Sequence, residues 1–223
     1  MSGQARENIL GKIRKALSEN AVEMPFPEAE KTTDFFVKEE LTAEEKFAKE
    51  FTLLGGKFVY CANEAELLEH LQALADTMKW PIIHSKDSYL IHLFSEKNIE
   101  LVQDARSKDG QANDMHDIAV GLSLCECLVA RTGSVILSSG QEHGRSLPVY
   151  APIHIAVAFT NQVVWNISDS IQLMQKKYQG NIPSMISLTT GPSRTADIEK
   201  TLVVGVHGPK EVYVFLVDSD WKG

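Results

Sequence analysis

The sequence predicts a three-layer α/β fold, a largely parallel sheet with helices on both faces, and three observations point to it. Short apolar runs bounded by turn-forming residues recur at 58–61, 81–84, 154–159, 184–189 and 211–217. Segments of helical period, such as 64–78 and 167–178, stand between several of them, and strands separated by helices pair in parallel. At 223 residues the chain suits one large domain, able to bury about 70% of the surface its unfolded form exposes.

Each element has its own signal. Residues 5–18 read as a helix with Ile9, Ile13, Ala16 and Leu17 on one face, and residues 21–40 then lose periodicity where Pro25 and Pro27 flank Phe26. Residues 1–40 are therefore read as an N-terminal helix and extended arm, ahead of a single domain over 41–223. Thr42 with Glu45 three residues on is a capping box, and the helix it opens stops at Gly55-Gly56. Residues 58–61 form a strand, and Asn63 with Glu66 caps a helix reaching about Met78. A strand at 81–84, a helix at 87–94, a strand at 99–102 and a polar loop at 107–113 follow. The second half reads as a strand at 118–121, one or two helical turns at 123–130 and a strand at 134–137. Next come a strand at 154–159 and a hairpin through Asn161-Gln162 into Val163-Val164-Trp165. A helix at 167–178 with Ser168 as its cap, a strand at 184–189, a helix at 195–204 closed by Gly205, and a strand at 211–217 complete the chain.

Charge narrows the function classes. A net charge of −8 and a pI of about 5.4 argue against nucleic-acid or anionic-membrane partners. No apolar stretch suffices for membrane insertion, and residues 1–17 lack a signal-peptide core, so a cytoplasmic location is expected. Three cysteines fit a reducing compartment and fall short of an iron–sulfur set. Cys125-Glu126-Cys127 reads either as part of a metal site or as two small buried apolar residues. Asp114, His116 and Asp117 resemble a metal cluster only superficially. Neither a metal nor a cofactor is expected.

Two loops could carry chemistry. In the first, an apolar strand runs into Thr190-Gly191-Pro192-Ser193-Arg194, and a helix is expected to leave it with Ser193 or Thr195 as cap. A helix start offers free N–H groups and partial positive charge to an anion, and Arg194 adds a planar fork of donors. Asp197 could instead pair locally with Arg194. The second loop holds Glu126 in an apolar run, followed by Thr132-Gly133-Ser134 just before a strand. A buried carboxylate there could serve as acid, base or nucleophile, or be a partly exposed structural residue. Between the loops, Arg145 lies in a polar glycine- and serine-rich segment, and His207 stands in a turn near the C-terminal strand.

The run from Gly191 to Glu199, with Gly205-Val206-His207-Gly208-Pro209 after it, resembles the C-terminal signature of the lactate-utilisation (LUD) domain family. Cys125-Glu126 with Ala130-Arg131-Thr132-Gly133-Ser134, and Pro152-Ile153-His154-Ile155, are similar to its upstream motifs. The resemblance implies a fold of the glucosamine-phosphate isomerase, ribose-phosphate isomerase and CoA-transferase group. It also implies work as an accessory subunit, beside iron–sulfur partner proteins, in oxidising L-lactate or a related 2-hydroxy acid to pyruvate. Glu126 would be the catalytic candidate. Thr132, Gly133, Ser134, Arg145, Gly191, Pro192, Ser193, Arg194, Asp197 and His207 would bind a small anionic ligand. A CoA-transferase-like enzyme using Glu126 and a purely structural assembly factor are the alternatives, and homo-oligomerisation is left open.

Overall fold

A computed structural model describes residues 2–19, 40–80, 82–95, 101–102, 118–196, 202–205 and 207–221. The chain divides into two units, Met1–Glu40 and Leu41–Gly223. The first contains helix α1 (Ser2–Glu19). The arm expected from residue 21, the 107–113 loop, Asp114, His116, Asp117 and Asp197 lie outside the described residues.

The second unit carries the core. Helix α2 (Ala43–Leu53) opens on the expected capping box: Thr42 Oγ1 accepts the Glu45 N–H at 3.3 Å and Glu45 Oε2 accepts the Thr42 N–H at 2.9 Å. Helix α3 (Glu64–Met78) is capped by Asn63, whose Oδ1 accepts the Glu66 N–H at 3.0 Å. Helix α4 is Ser88–Ser95, α5 the single turn Leu147–Tyr150, and α6 Ile167–Lys177. Asn166, not Ser168, stands at the cap of α6, and its N–H donates to Asp169 Oδ2 at 2.8 Å.

Six strands form an all-parallel sheet: β1 (Lys57–Cys61), β2 (Ile83–Ser85), β3 (Leu101–Val102), β4 (Val120–Leu124), β7 (Ile153–Phe159) and β12 (Glu211–Val217). Their order is β1-β12-β7-β4-β2-β3. β7 and β12 are buried along almost their whole length, as parallel strands covered on both faces must be. On one face Leu67, Leu68 and Leu71 of α3 and Leu90, Leu93 and Phe94 of α4 meet Val120, Leu122, Val157 and Phe215. On the other, Phe47 and Phe51 of α2 meet Ala156, Ala158, Val214 and Leu216. The three-layer expectation therefore holds.

A four-stranded sheet shares that second face with α2. Its order is β8-β5-β6-β9, from β5 (Cys127–Val129), β6 (Ser134–Ser138), β8 (Val163–Val164) and β9 (Ile186–Thr189). Leu128, Val135 and Leu137 point toward the parallel sheet, while Cys127, Val129 and Ile136 pack under Ile167 and Leu173 of α6.

Three local expectations give way. Residues 123–130 are not helical: they finish β4, turn at Cys125-Glu126 and form β5. That run is apolar on every side, and periodicity cannot separate a doubly buried strand from a helical turn. β7 and β8 are not a hairpin, because the chain changes sheets through a 3₁₀ turn at Thr160–Gln162. Gln162 fastens that turn by donating to the carbonyls of Cys125 at 2.8 Å and Glu126 at 3.2 Å. The 195–204 helix is replaced by β10 (Arg194–Ala196) and β11 (Leu202–Val204), which pair antiparallel. Thr195, Val203 and Val204 are β-branched and favour strand. The helix start expected to receive an anion after Gly191 is therefore not formed.

Candidate functional site

The Gly191 loop still borders a cavity. Gly191 has φ +78°, and a Cβ there would stand 2.9 Å from the Leu54 carbonyl oxygen at the end of α2, so the turn needs glycine. Ser193 donates its N–H to the Pro209 carbonyl at 2.9 Å and accepts the Gly205 N–H at 3.0 Å, which joins this loop to the one holding His207. The two loops and the segment from Arg145 to Val149 enclose about 280 Å³, near the lower end of the range of about 300–1,000 Å³ typical of small-molecule sites. Arg145 and His207 are its basic groups among the described residues, Ser187, Thr189, Thr190 and Ser193 line it with hydroxyl-bearing residues, and Pro148, Val149 and Leu188 are part of its apolar rim. Arg145 reaches across to donate to Ser184 Oγ.

Arg194 takes a different place. Its guanidinium donates to the Leu54 carbonyl at 2.7 Å and lies against Gly55, so the cation meets the negative end of α2 outside the cavity lining. In the Thr132–Ser134 turn, Gly133 stands against the backbone of the same helix at Glu50 and Phe51. Thr132 Oγ1 and Ser134 Oγ are 2.8 Å apart, and Ser134 Oγ is 2.8 Å from Thr190 Oγ1. This hydroxyl row connects the second loop to the cavity wall.

Glu126 forms a centre of its own. Its side chain is fully buried. Oε2 receives Lys177 Nζ at 2.8 Å, while Oε1 receives the Tyr178 hydroxyl at 2.6 Å and the Ser138 hydroxyl at 2.5 Å. Burial and the Glu126 carboxylate hold the Tyr178 phenol above its usual range. Burial works against the Lys177 charge, but the hydrogen bond and charge of Glu126 outweigh it and raise Lys177. The flanking Cys125 and Cys127 are buried and unpaired with any disulfide; desolvation pushes Cys127 up to about 12 and Cys125 well above its ordinary value. Both are thiols at neutral pH, as small apolar residues would be, and among the described residues no three His, Cys, Asp or Glu side chains gather as a metal set.

More buried polar groups lie along the parallel sheet, whose strand order reverses between β2 and β4. Asp87 Oδ2 accepts the Leu124 N–H at 2.9 Å. Desolvation pushes this carboxyl up to about 7, with the Leu124 hydrogen bond opposing and Glu142 adding to the rise. Ser123 Oγ and His154 Nε2 are 2.9 Å apart on neighbouring strands, and burial drives His154 down to about 3.

Residues 44–217 match the LUD domain. The chain belongs to the LUD domain family. Related sequences include a lactate utilization protein C of Bacillus licheniformis, 34% identical over 118 residues (52% of this chain, 49% of that protein). Another, from Anoxybacillus flavithermus, is 28% identical over 162 residues (70% and 72%). An uncharacterised protein of Neisseria meningitidis serogroup B is 30% identical over 127 residues (56% and 54%). The chain thus spans about half the length of the Bacillus and Neisseria relatives. A crystal structure of a DUF162 family protein from Deinococcus radiodurans superposes with a TM-score of 0.55 at 17% identity, covering 79% of this chain and 99% of that one, which extends the likeness in fold. No helix among the described residues is long and apolar enough to cross a membrane.

Within the LUD domain, then, five of the anticipated residues (Arg145, Gly191, Pro192, Ser193 and His207) share one cavity. Glu126 and Arg194 are each held elsewhere by partners that sequence reading did not supply. Lys177, Tyr178 and Ser138 were missed because 51, 52 and 12 positions separate them from Glu126. Only the pairing of β6 with β5, and α6 packed over both, brings them in.

Proposed function

We propose that this LUD protein serves lactate utilisation as an accessory subunit, working with iron–sulfur partner proteins in the oxidation of L-lactate or a related 2-hydroxy acid to pyruvate. The cavity between Arg145, Ser193 and His207 would hold the small carboxylate. Membership of the family and the names of two relatives support the process. The observation that carries the ligand is the cavity lining, which sets an arginine and a histidine beside hydroxyls and, among the described residues, no carboxylate. An acyl-transfer enzyme built on Glu126 would need an oxygen open to substrate; both are engaged and the side chain is buried, which favours the first reading.

The test pairs cells with purified protein. Arg145→Ala should abolish growth on L-lactate in a strain that depends on this protein. It should also remove the rise in melting temperature that saturating L-lactate or pyruvate gives the native protein, about 2.7 kcal/mol at a hundredfold excess over Kd. Normal growth, or an unchanged ligand shift, would overturn the assignment. Lost growth with no ligand shift in either protein would leave a structural assembly role in its place.

A further inference from the structure

A second cavity, of about 720 Å³, lies at the carboxyl edge of the six-stranded sheet, and its chemistry is the reverse of the first. Its floor is aromatic. Phe159 ends β7, Tyr89 belongs to the first turn of α4, and Trp221 follows β12. The Trp221 ring stacks on Phe159 with centroids 5.0 Å apart and meets Tyr89 edge-on at 4.7 Å. The backbone of Trp221 is clasped from both sides: its N–H donates to Asn161 Oδ1 at 2.9 Å, and Asn161 Nδ2 donates to its carbonyl at 3.1 Å. Thr160 Oγ1 fixes the preceding turn through the Ser219 carbonyl at 3.2 Å. Residues 159–161 thus hold the tryptophan in place.

The walls are acidic. Glu64 and Asp220 both line the cavity, and no Lys, Arg or His does so among the described residues. The Tyr89 hydroxyl donates to Glu64 Oε1 at 2.6 Å, which sets that carboxylate at the edge of the aromatic floor. Ser219, also in the lining, has a buried hydroxyl with no hydrogen-bond partner among the described residues. Apolar packing at a sheet edge would account for three clustered rings. It gives no reason for two carboxylates around them with no cation among the described lining residues, or for a buried hydroxyl that no described residue uses. Ring faces carry negative potential, as carboxylates do, so the cavity repels anions and attracts positive charge. Its position is the one where parallel sheets place ligands, outside the carboxyl ends of the strands.

We propose that this cavity binds an organic cation, with the charged group over the Trp221 ring and facing Glu64 and Asp220. The assignment is independent of the anion site. Calorimetric titration of the full chain with 1-methylnicotinamide, its neutral counterpart nicotinamide and the anion nicotinate tests it. The cation should bind saturably, about tenfold or more tightly than nicotinamide, and nicotinate not at all. Trp221→Phe, which keeps the apolar packing, should weaken the cation several-fold at an unchanged melting temperature. Glu64→Gln with Asp220→Asn should erase the preference for the cation. No saturable binding at millimolar cation, equal affinity for cation and neutral ring, or an affinity unmoved by the double carboxylate substitution would each overturn it.

Discussion

At the turn after β4, the Glu126 carboxylate replaces water with three protein donors, and its surroundings depend on it as much as it on them. Lys177 is 43% exposed, so solvent weakens that ion pair. The larger consequence of losing the carboxylate falls on Ser138 and Tyr178, whose hydroxyls would be left in a buried space. Glu126→Ala should therefore cost about 3 kcal/mol in urea unfolding, and Glu126→Gln, which keeps an acceptor, about 1 kcal/mol. Gly133 shows a steric constraint of a different kind. It has φ +59°, and a Cβ would approach the Phe51 backbone nitrogen to 2.5 Å, so α2 itself would have to move. Gly133→Ala should cost about 2–4 kcal/mol, whereas Gly144→Ala, at φ +65° with nothing within 4 Å, should cost about 1 kcal/mol. Equal losses at the two glycines would mean that α2 does not press on the Thr132–Ser134 turn.

Elements in this fold are tied to one another by side chains that cross between them. Helix α4 receives the Glu142 carboxylate at its first turn, where Ser88 N–H and Oγ donate to it at 2.5 and 2.9 Å. Asp87, immediately before that helix, holds the end of β4. Its carboxyl is raised from 3.8 to about 7, so between these values the folded chain keeps a proton that the unfolded chain has released. The stability it contributes is complete below 3.8 and is lost as pH rises through about 7. His154 acts in the opposite sense. Lowered from 6.5 to about 3, it contributes stability fully above 6.5 and loses it as pH falls toward 3. Asp87→Asn retains an acceptor for Leu124 and removes only the first dependence. Its melting temperature should exceed that of the native chain above pH 7 and rise more steeply with pH across the 3.8-to-7 window. Parallel pH profiles for the two proteins would show that Asp87 does not titrate on folding.

For the molecule as a whole, the apolar clusters of the second unit draw on residues from Ala43 to Trp221. The fragment Leu41–Gly223 should accordingly fold cooperatively, with a thermal midpoint within a few degrees of the full chain; a molten fragment would assign the first 40 residues a part in the core. Local rules identified the elements whose signals are local. The Thr42–Glu45 box, the Asn63 cap and the period-3.6 face of α3 involve residues three or four apart, and β12 begins and ends at the residues its apolar run indicates. The LUD motifs were legible in the same way, as contiguous runs, and with them the Gly191, Ser193 and His207 side of the cavity. What the tertiary structure decided concerns segments whose neighbours are distant in sequence. The apolar run at 123–130 became two strands because sheets on either side satisfied its backbone, and β8 left β7 because Gln162 found the end of β4. Arg194 took a helix-end carbonyl 140 positions away in place of an anion. Burial on two faces and hydrogen bonds across long loops leave no periodic trace in a sequence, and for that reason the partners of Glu126 emerged only from the folded chain.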